Sequence, residues 1–219
     1  LTGVDRVELA YLRALVADPV PVFLLVRTWL GHLILDQAGA EAVLARLEGR
    51  ARWGAVDTLG HLQRKAHPMK RRAEADLRRL AVARAPKGRL GRALRRVFRE
   101  AVTYVNVGHS NLGEEVLSAW NRLEHARIAV LVHSLIPLDF PDLQRDGTAQ
   151  SFRARMQRVA AVADLVICIS AATEGRVRHW FSRWGFAPLT QVAHIGADVP
   201  KPDADALRPD RPYFVSMPK

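Results

Sequence analysis

Short, unbroken apolar runs alternate with helix-length segments along most of this chain, and that alternation restricts the fold more than any other feature. Val20–Val26, Thr103–Val107, Ile128–Val132 and Leu165–Ile169 are rich in β-branched residues. Continuous runs of this kind suit strands buried on both faces. Gln191–Ile195 supplies a fifth. Helical patterns fill most of the spaces: Leu112–Leu123 before the third run, Phe152–Val162 before the fourth, Ala171–Trp184 after it. Strand alternating with helix is the pattern of βαβ units. The expected fold is therefore α/β, a Rossmann-like parallel sheet with helices on both faces.

Val4–Val16 opens the chain as a helix, with Val4, Val7, Tyr11 and Leu15 forming one apolar stripe. A doubly wound domain would place a strand before this helix. The middle, Gln37 to Glu100, reads as a basic helical insertion. Arg64, Lys65, Lys70, Arg71, Arg72, Arg78, Arg79, Arg84, Lys87, Arg89, Arg92, Arg95, Arg96 and Arg99 face only Glu74, Asp76 and Glu100 as nearby acids. Its amphipathic pattern breaks at Pro86-Lys87-Gly88. Residues 1–211 are thus one domain carrying an insertion at about 37–100. Ala197–Pro212, rich in Pro and Asp, reads as a connector. Residues 212–219 read as the start of a further strand and a truncated second domain.

The net charge of +11 directs attention to anionic partners: nucleic acid, an anionic membrane surface or phosphorylated substrates. The basic stretch lacks interleaved aromatics and carries no zinc-finger, RRM or KH signature, which disfavours nucleic acid. Cys168 is the only cysteine, so no internal disulfide can form. The apolar region Val20–Leu35 is broken by Pro21, Arg27 and His32 and is too interrupted to span a membrane. These features fit a cytoplasmic protein. His61 and His67, six apart, fall on different helix faces, so no shared metal site is expected.

Ligands of open parallel sheets bind beyond the carboxyl ends of the strands. Those ends carry Gly108-His109-Ser110-Asn111, His133-Ser134, Ser170, and His194 with Gly196. A rim of imidazoles and hydroxyls suits binding or acid–base chemistry. Thr2-Gly3-Val4-Asp5-Arg6 opens the first helix, where free N–H groups favour an anion. Capping by Thr2 or Asp5 is the plain alternative. Gly108-His109-Ser110-Asn111-Leu112-Gly113 approaches the nucleophile elbow G-x-S-x-G, with Asp164 and His194 downstream. The second glycine comes one position late, and Asp164 precedes its strand. There is no Walker loop and no G-x-G-x-x-G.

Four segments in order resemble family-4 retaining glycosyltransferases of the GT-B fold. Thr2-Gly3-Val4-Asp5-Arg6 with the helix that follows resembles their glycine-bearing loop and first helix. Val132-His133-Ser134-Leu135-Ile136-Pro137 resembles their V-H-D-L-I-P segment. Asp164-Leu165-Val166-Ile167-Cys168-Ile169-Ser170 resembles D-x-V-I-x-x-S, and His194-Ile195-Gly196-Ala197-Asp198 the x-x-G-x-D end of the N-terminal domain. The resemblance implies an acceptor-binding domain that transfers a mannose-like hexose from a GDP- or UDP-sugar, the donor substrate, without a permanently bound cofactor or metal. His133 would serve catalysis in the cleft. Thr2, Gly3, Arg6, His109, Ser110, Ser134 and Ser170 would contact substrates. The acceptor would be a glycan or a lipid-linked sugar, met by a peripheral protein at the inner membrane face. Ser134 departs from the family's aspartate. The donor-domain motifs would lie beyond Lys219, so residues 1–219 alone are expected to be inactive. The rival expectations are a non-catalytic basic α/β module for nucleic acid or membrane, and a hydrolase using Ser110.

Overall fold

The computed structural model describes residues 3–196. Thr2, the connector, the expected strand at 212–216 and the Ala197-Asp198 part of the fourth motif lie outside them. Helix α1 (Gly3–Ala17) leads into a hairpin of β1 (Leu24–Thr28) and β2 (Gly31–Leu35). Then come α2 (Gln37–Leu47), α3 (Thr58–Leu62), α4 (Pro68–Leu80), β3 (Ala83–Pro86) and α5 (Leu90–Val97). The second half alternates: β4 (Val102–Asn106), α6 (Glu114–Asn121), β5 (Ala126–Val132), α7 (Ile136–Asp139), α8 (Thr148–Val162), β6 (Leu165–Cys168), α9 (Ala171–Arg183) and β7 (Leu189–Val192).

The α/β expectation holds. Strands β4, β5, β6 and β7 form an all-parallel sheet in that order, flanked by helices. Sequential order constrains the helices further. Right-handed crossovers that step in one direction deliver α6, α8 and α9 to the same face. The core agrees. Tyr104, Ile128, Val130, Val132, Val166 and Cys168 point into one cluster with Val116 and Trp120 of α6, Met156 and Val159 of α8, and Val177 and Phe181 of α9. Trp120 stacks on Tyr104 at 5.0 Å between ring centres.

The first run is a correction. Val20–Val26 was expected in the parallel sheet. Instead β1 pairs antiparallel with β2, and β2 with β3, in a separate three-stranded sheet. Trp29 and Leu30 alone join β1 to β2. A connection that short permits only antiparallel pairing. Gly31, at φ +135, makes the join possible, because a Cβ there would collide with the Ala85 carbonyl. The run carries no mark of either arrangement: its residues Leu24, Leu25 and Val26 are half-buried in β1, beside the fully buried β2. Leu33 and Leu35 pack against Val43 of α2 and Leu77 of α4, while Ile34 enters the main core.

The basic insertion is also more ordered than a solvated charge run. It contains β3, one of its cations is buried, and others pair with buried carboxylates. Arg78, 3% exposed, grips Asp57 with Nε donating to Oδ2 at 2.7 Å and Nη2 to Oδ1 at 2.6 Å. Asp57 also caps α3 by accepting from the Gly60 N–H. Asp76, 5% exposed, accepts from Arg46, Arg79 and the Gly54 N–H. A bidentate fork is the geometry that repays a guanidinium for leaving water. The Arg78 fork holds the Asp57 carboxyl down at about 2. We expect Asp57→Ala to cost about 3 kcal/mol, read by urea unfolding, because it removes a cap and the bidentate partner of buried Arg78, leaving only the 3.5 Å approach of Glu74. A carboxyl with a depressed folded pKa stabilises above its ordinary 3.8 and loses that contribution as pH falls through about 2. The gap between wild type and variant should therefore narrow over that window.

Candidate functional site

The site begins where β4 and β5 part company. Parallel register pairs Asn106 with Val130, the last rung between these strands. Beyond it the β4 chain turns away, and main-chain carbonyls that would continue the ladder lose their partners. Two imidazoles replace them. His109 Nε2 lies 3.0 Å from the Leu131 carbonyl, and His133 Nε2 lies 2.7 Å from the Val107 carbonyl. A carbonyl can only accept, so both rings carry their proton on Nε2. The 3.4 Å approach of the His133 N–H to His109 Nε2 is then a contact and not a second hydrogen bond. The two rings meet edge to face at 5.2 Å. Each imidazole closes the strand end that bears the other.

A buried polar knot shapes the loop that presents His109. Asn106, 7% exposed, accepts from the His109 N–H at 3.1 Å and donates to the Ser110 carbonyl and to the Tyr104 hydroxyl. The Tyr104 hydroxyl donates onward to the Asn111 carbonyl at 3.0 Å. This network bends the chain so that His109 (φ 59) and Asn111 (φ 54) adopt left-handed backbone. Non-glycine residues there are uncommon and persist where surrounding bonds hold them. Burial pushes the Tyr104 phenol up to about 12.

Helix α1 completes the crevice. The Glu8 carboxylate lies against Gly108, where even a Cβ would overlap it. Burial, then the charge of Asp5, pushes the Glu8 carboxyl above its ordinary value, and the charge of His133 opposes that shift. Phe152 faces the His109 ring at 6.1 Å from α8. Burial, the charge of His133 and the guanidinium of Arg155 press His109 down to about 4, against the pull of the Leu131 carbonyl. His109 is therefore a neutral donor at physiological pH. His133 Nδ1 makes no hydrogen bond among the described residues, so this ring nitrogen is open to a ligand.

The other expected residues divide. Gly3 and Arg6 are exposed on α1. Gly3 sits about 7.5 Å along the helix axis from Glu8, which is the residue that reaches the rim. Ser110 is exposed and Ser134 half-buried beside the two histidines. The Ser170 hydroxyl accepts from the Thr173 N–H at 3.1 Å, so it caps α9. Ser110 makes no side-chain hydrogen bond to a base. Asp164 accepts from the Ile128 N–H at the opposite edge of the sheet, and His194 is exposed, so these three form no relay. The Cys168 thiol is buried and held up at about 11 by burial, which leaves it inert.

Asn106 and Glu8 escaped the sequence reading. A signal existed for both: an amide inside an apolar run, and a carboxylate four residues from Val4 on an apolar stripe. Among the described residues, no group of three or more His, Cys, Asp or Glu side chains is placed to hold a metal ion. None of their helices is long and apolar enough to cross a membrane.

The neutral state of His109 has a direct readout. Imidazole titration by NMR should place it near 4, with no change across pH 5.5–8. An imidazole with a depressed folded pKa stabilises fully above its ordinary 6.5 and loses that contribution as pH falls through about 4. Titration near 6.5 would mean that the ring is not enclosed as described. No protein-family model matches this sequence, and comparison with curated proteins and with solved structures gives no match either.

Proposed function

We propose that this chain is the acceptor-side domain of a retaining hexosyltransferase that uses a nucleotide-activated sugar. The observation that carries the reading is the strand-end rim. His109 and His133, just past the ends of β4 and β5, meet Glu8 of α1 at the carboxyl edge of a parallel sheet. Edges of this kind bind ligands in open α/β sheets. The four ordered motifs supply the reaction class, which the crevice alone does not.

In such a transfer the bond between the sugar's anomeric carbon and a diphosphate oxygen breaks. A bond to the acceptor oxygen forms, and the acceptor proton leaves with the nucleotide. The chain's own contribution is positioning and polarity. His133 Nδ1 accepts from a sugar hydroxyl while its Nε2–H stays tied to Val107. Fixed donors and acceptors of this kind need no reorganisation as charge develops. Ser134 adds a hydroxyl where the family carries a carboxylate, so polarity there is supplied without charge. The donor's diphosphate falls to residues outside those described. A lipid-linked acceptor at an anionic membrane face fits the charge of +11.

A second reading, a basic α/β module without catalysis, draws on the cations that lack acidic partners. Turnover separates the two. The complete gene product carrying this chain, given GDP- and UDP-hexoses with a membrane extract as acceptor, should release nucleotide from one of them. His133→Ala should lower that rate about a hundredfold, a size typical of losing one positioned polar group. No release above spontaneous hydrolysis, or full activity in His133→Ala, would remove the transfer reading.

A further inference from the structure

Helix α5 sorts its side chains sharply. Leu90 and Leu94 are fully buried, while Arg89, Arg92, Arg95 and Arg96 fall on the opposite arc and are exposed. Arg78, Arg79 and Arg46 of the same insertion meet carboxylates. Arg89, Arg92, Arg95 and Arg122 have none within ion-pair distance among the described residues. They are not scattered. They converge on a groove of about 580 Å³ between α5 and α6. Gly91 and Ala119 face each other in its floor, and their small size lets the helices approach. Ser118 adds a hydroxyl. Two carboxylates also line it. Glu115 accepts from the Gly88 N–H at 2.7 Å, and four guanidinium groups against the two carboxylates still leave the groove with an excess of positive charge.

We propose that this groove binds clustered phosphate groups. Four guanidinium forks in one concavity match a ligand with several anionic oxygens, because each fork can donate two parallel bonds to one phosphate. Arginines three residues apart on a helix stand roughly 5–6 Å apart at Cβ, so their long side chains can close on the same anion or on neighbouring ones. Four cations over two carboxylates, with no ion pair formed between them among the described residues, leave a net repulsion that a polyanion would relieve. The groove is built from α5 and α6 and uses neither His109 nor His133, so it is independent of the sugar-transfer reading. The phosphates could come from a soluble polyphosphate or from anionic lipid headgroups, and the test separates these sources.

Calorimetry with sodium tripolyphosphate and co-flotation with phosphatidylglycerol-containing vesicles, each at low and physiological salt, are the two arms. Saturable tripolyphosphate binding marks the soluble source, and vesicle binding without it marks the lipid source. In whichever arm responds, the exposed pair Arg92→Gln/Arg95→Gln should weaken binding about tenfold or more. Arg64→Gln/Arg72→Gln removes the same charge from exposed positions outside the groove and should leave affinity unchanged. Absence of binding in both arms overturns the site. So does equal weakening by both pairs, which would show attraction to net charge alone. Retention of duplex DNA through Arg92 and Arg95, with neither phosphate probe bound, also overturns it.

Discussion

The parting of β4 from β5 creates a problem in backbone hydrogen bonding, and its solution organises the rim. Past the Asn106–Val130 rung, the carbonyls of Val107 and Leu131 face a space that another strand no longer fills. Buried carbonyls without donors are costly. His133 and His109 supply the donors, each reaching across to the other's strand. The exchange fixes the Nε2 proton on both rings and holds them at one edge, while burial keeps His109 from taking a second proton. The left-handed turn at His109 and Asn111 follows from the same arrangement, since Asn106 and Tyr104 must pull the loop back over the sheet.

Charge is sorted into two populations. Arg46, Arg78 and Arg79 are structural, clasping Asp57 and Asp76 and joining α2, α3 and α4. The arginines of α5 do no such work and lie over a groove. A count of basic residues along the insertion merges these groups. The chain fold separates them, because Asp57 meets Arg78 across twenty-one positions and Arg46 meets Asp76 across thirty.

Much of the second half of the fold was legible in the residues. The runs at Thr103–Val107, Ile128–Val132 and Leu165–Ile169 fall within a residue or two of β4, β5 and β6, because β-branched and aromatic residues on their helix-covered face fill the core. The first half was less legible. An apolar run carries no mark of strand direction, so the β1–β2 hairpin depended on the turn at Trp29 and Leu30, which lies inside the apolar region Val20–Leu35. At the site, histidines at strand ends were visible as types in sequence. What they hold was not, because their partners are main-chain carbonyls twenty-two and twenty-six residues away. Glu8 and Gly108 meet across a hundred positions, and their contact exists only once α1 docks on the rim.

Nitrogen-15 spectra of the two imidazoles address the central arrangement most directly. Long-range couplings from ring protons distinguish a protonated from an unprotonated nitrogen at each position. The structure requires a proton on Nε2 of both His109 and His133, slowed in exchange by its carbonyl partner, with Nδ1 of His109 bare at neutral pH. A bare Nε2 on either ring, or rapid averaging of the proton between the two nitrogens, would show that these side chains do not close the strand ends.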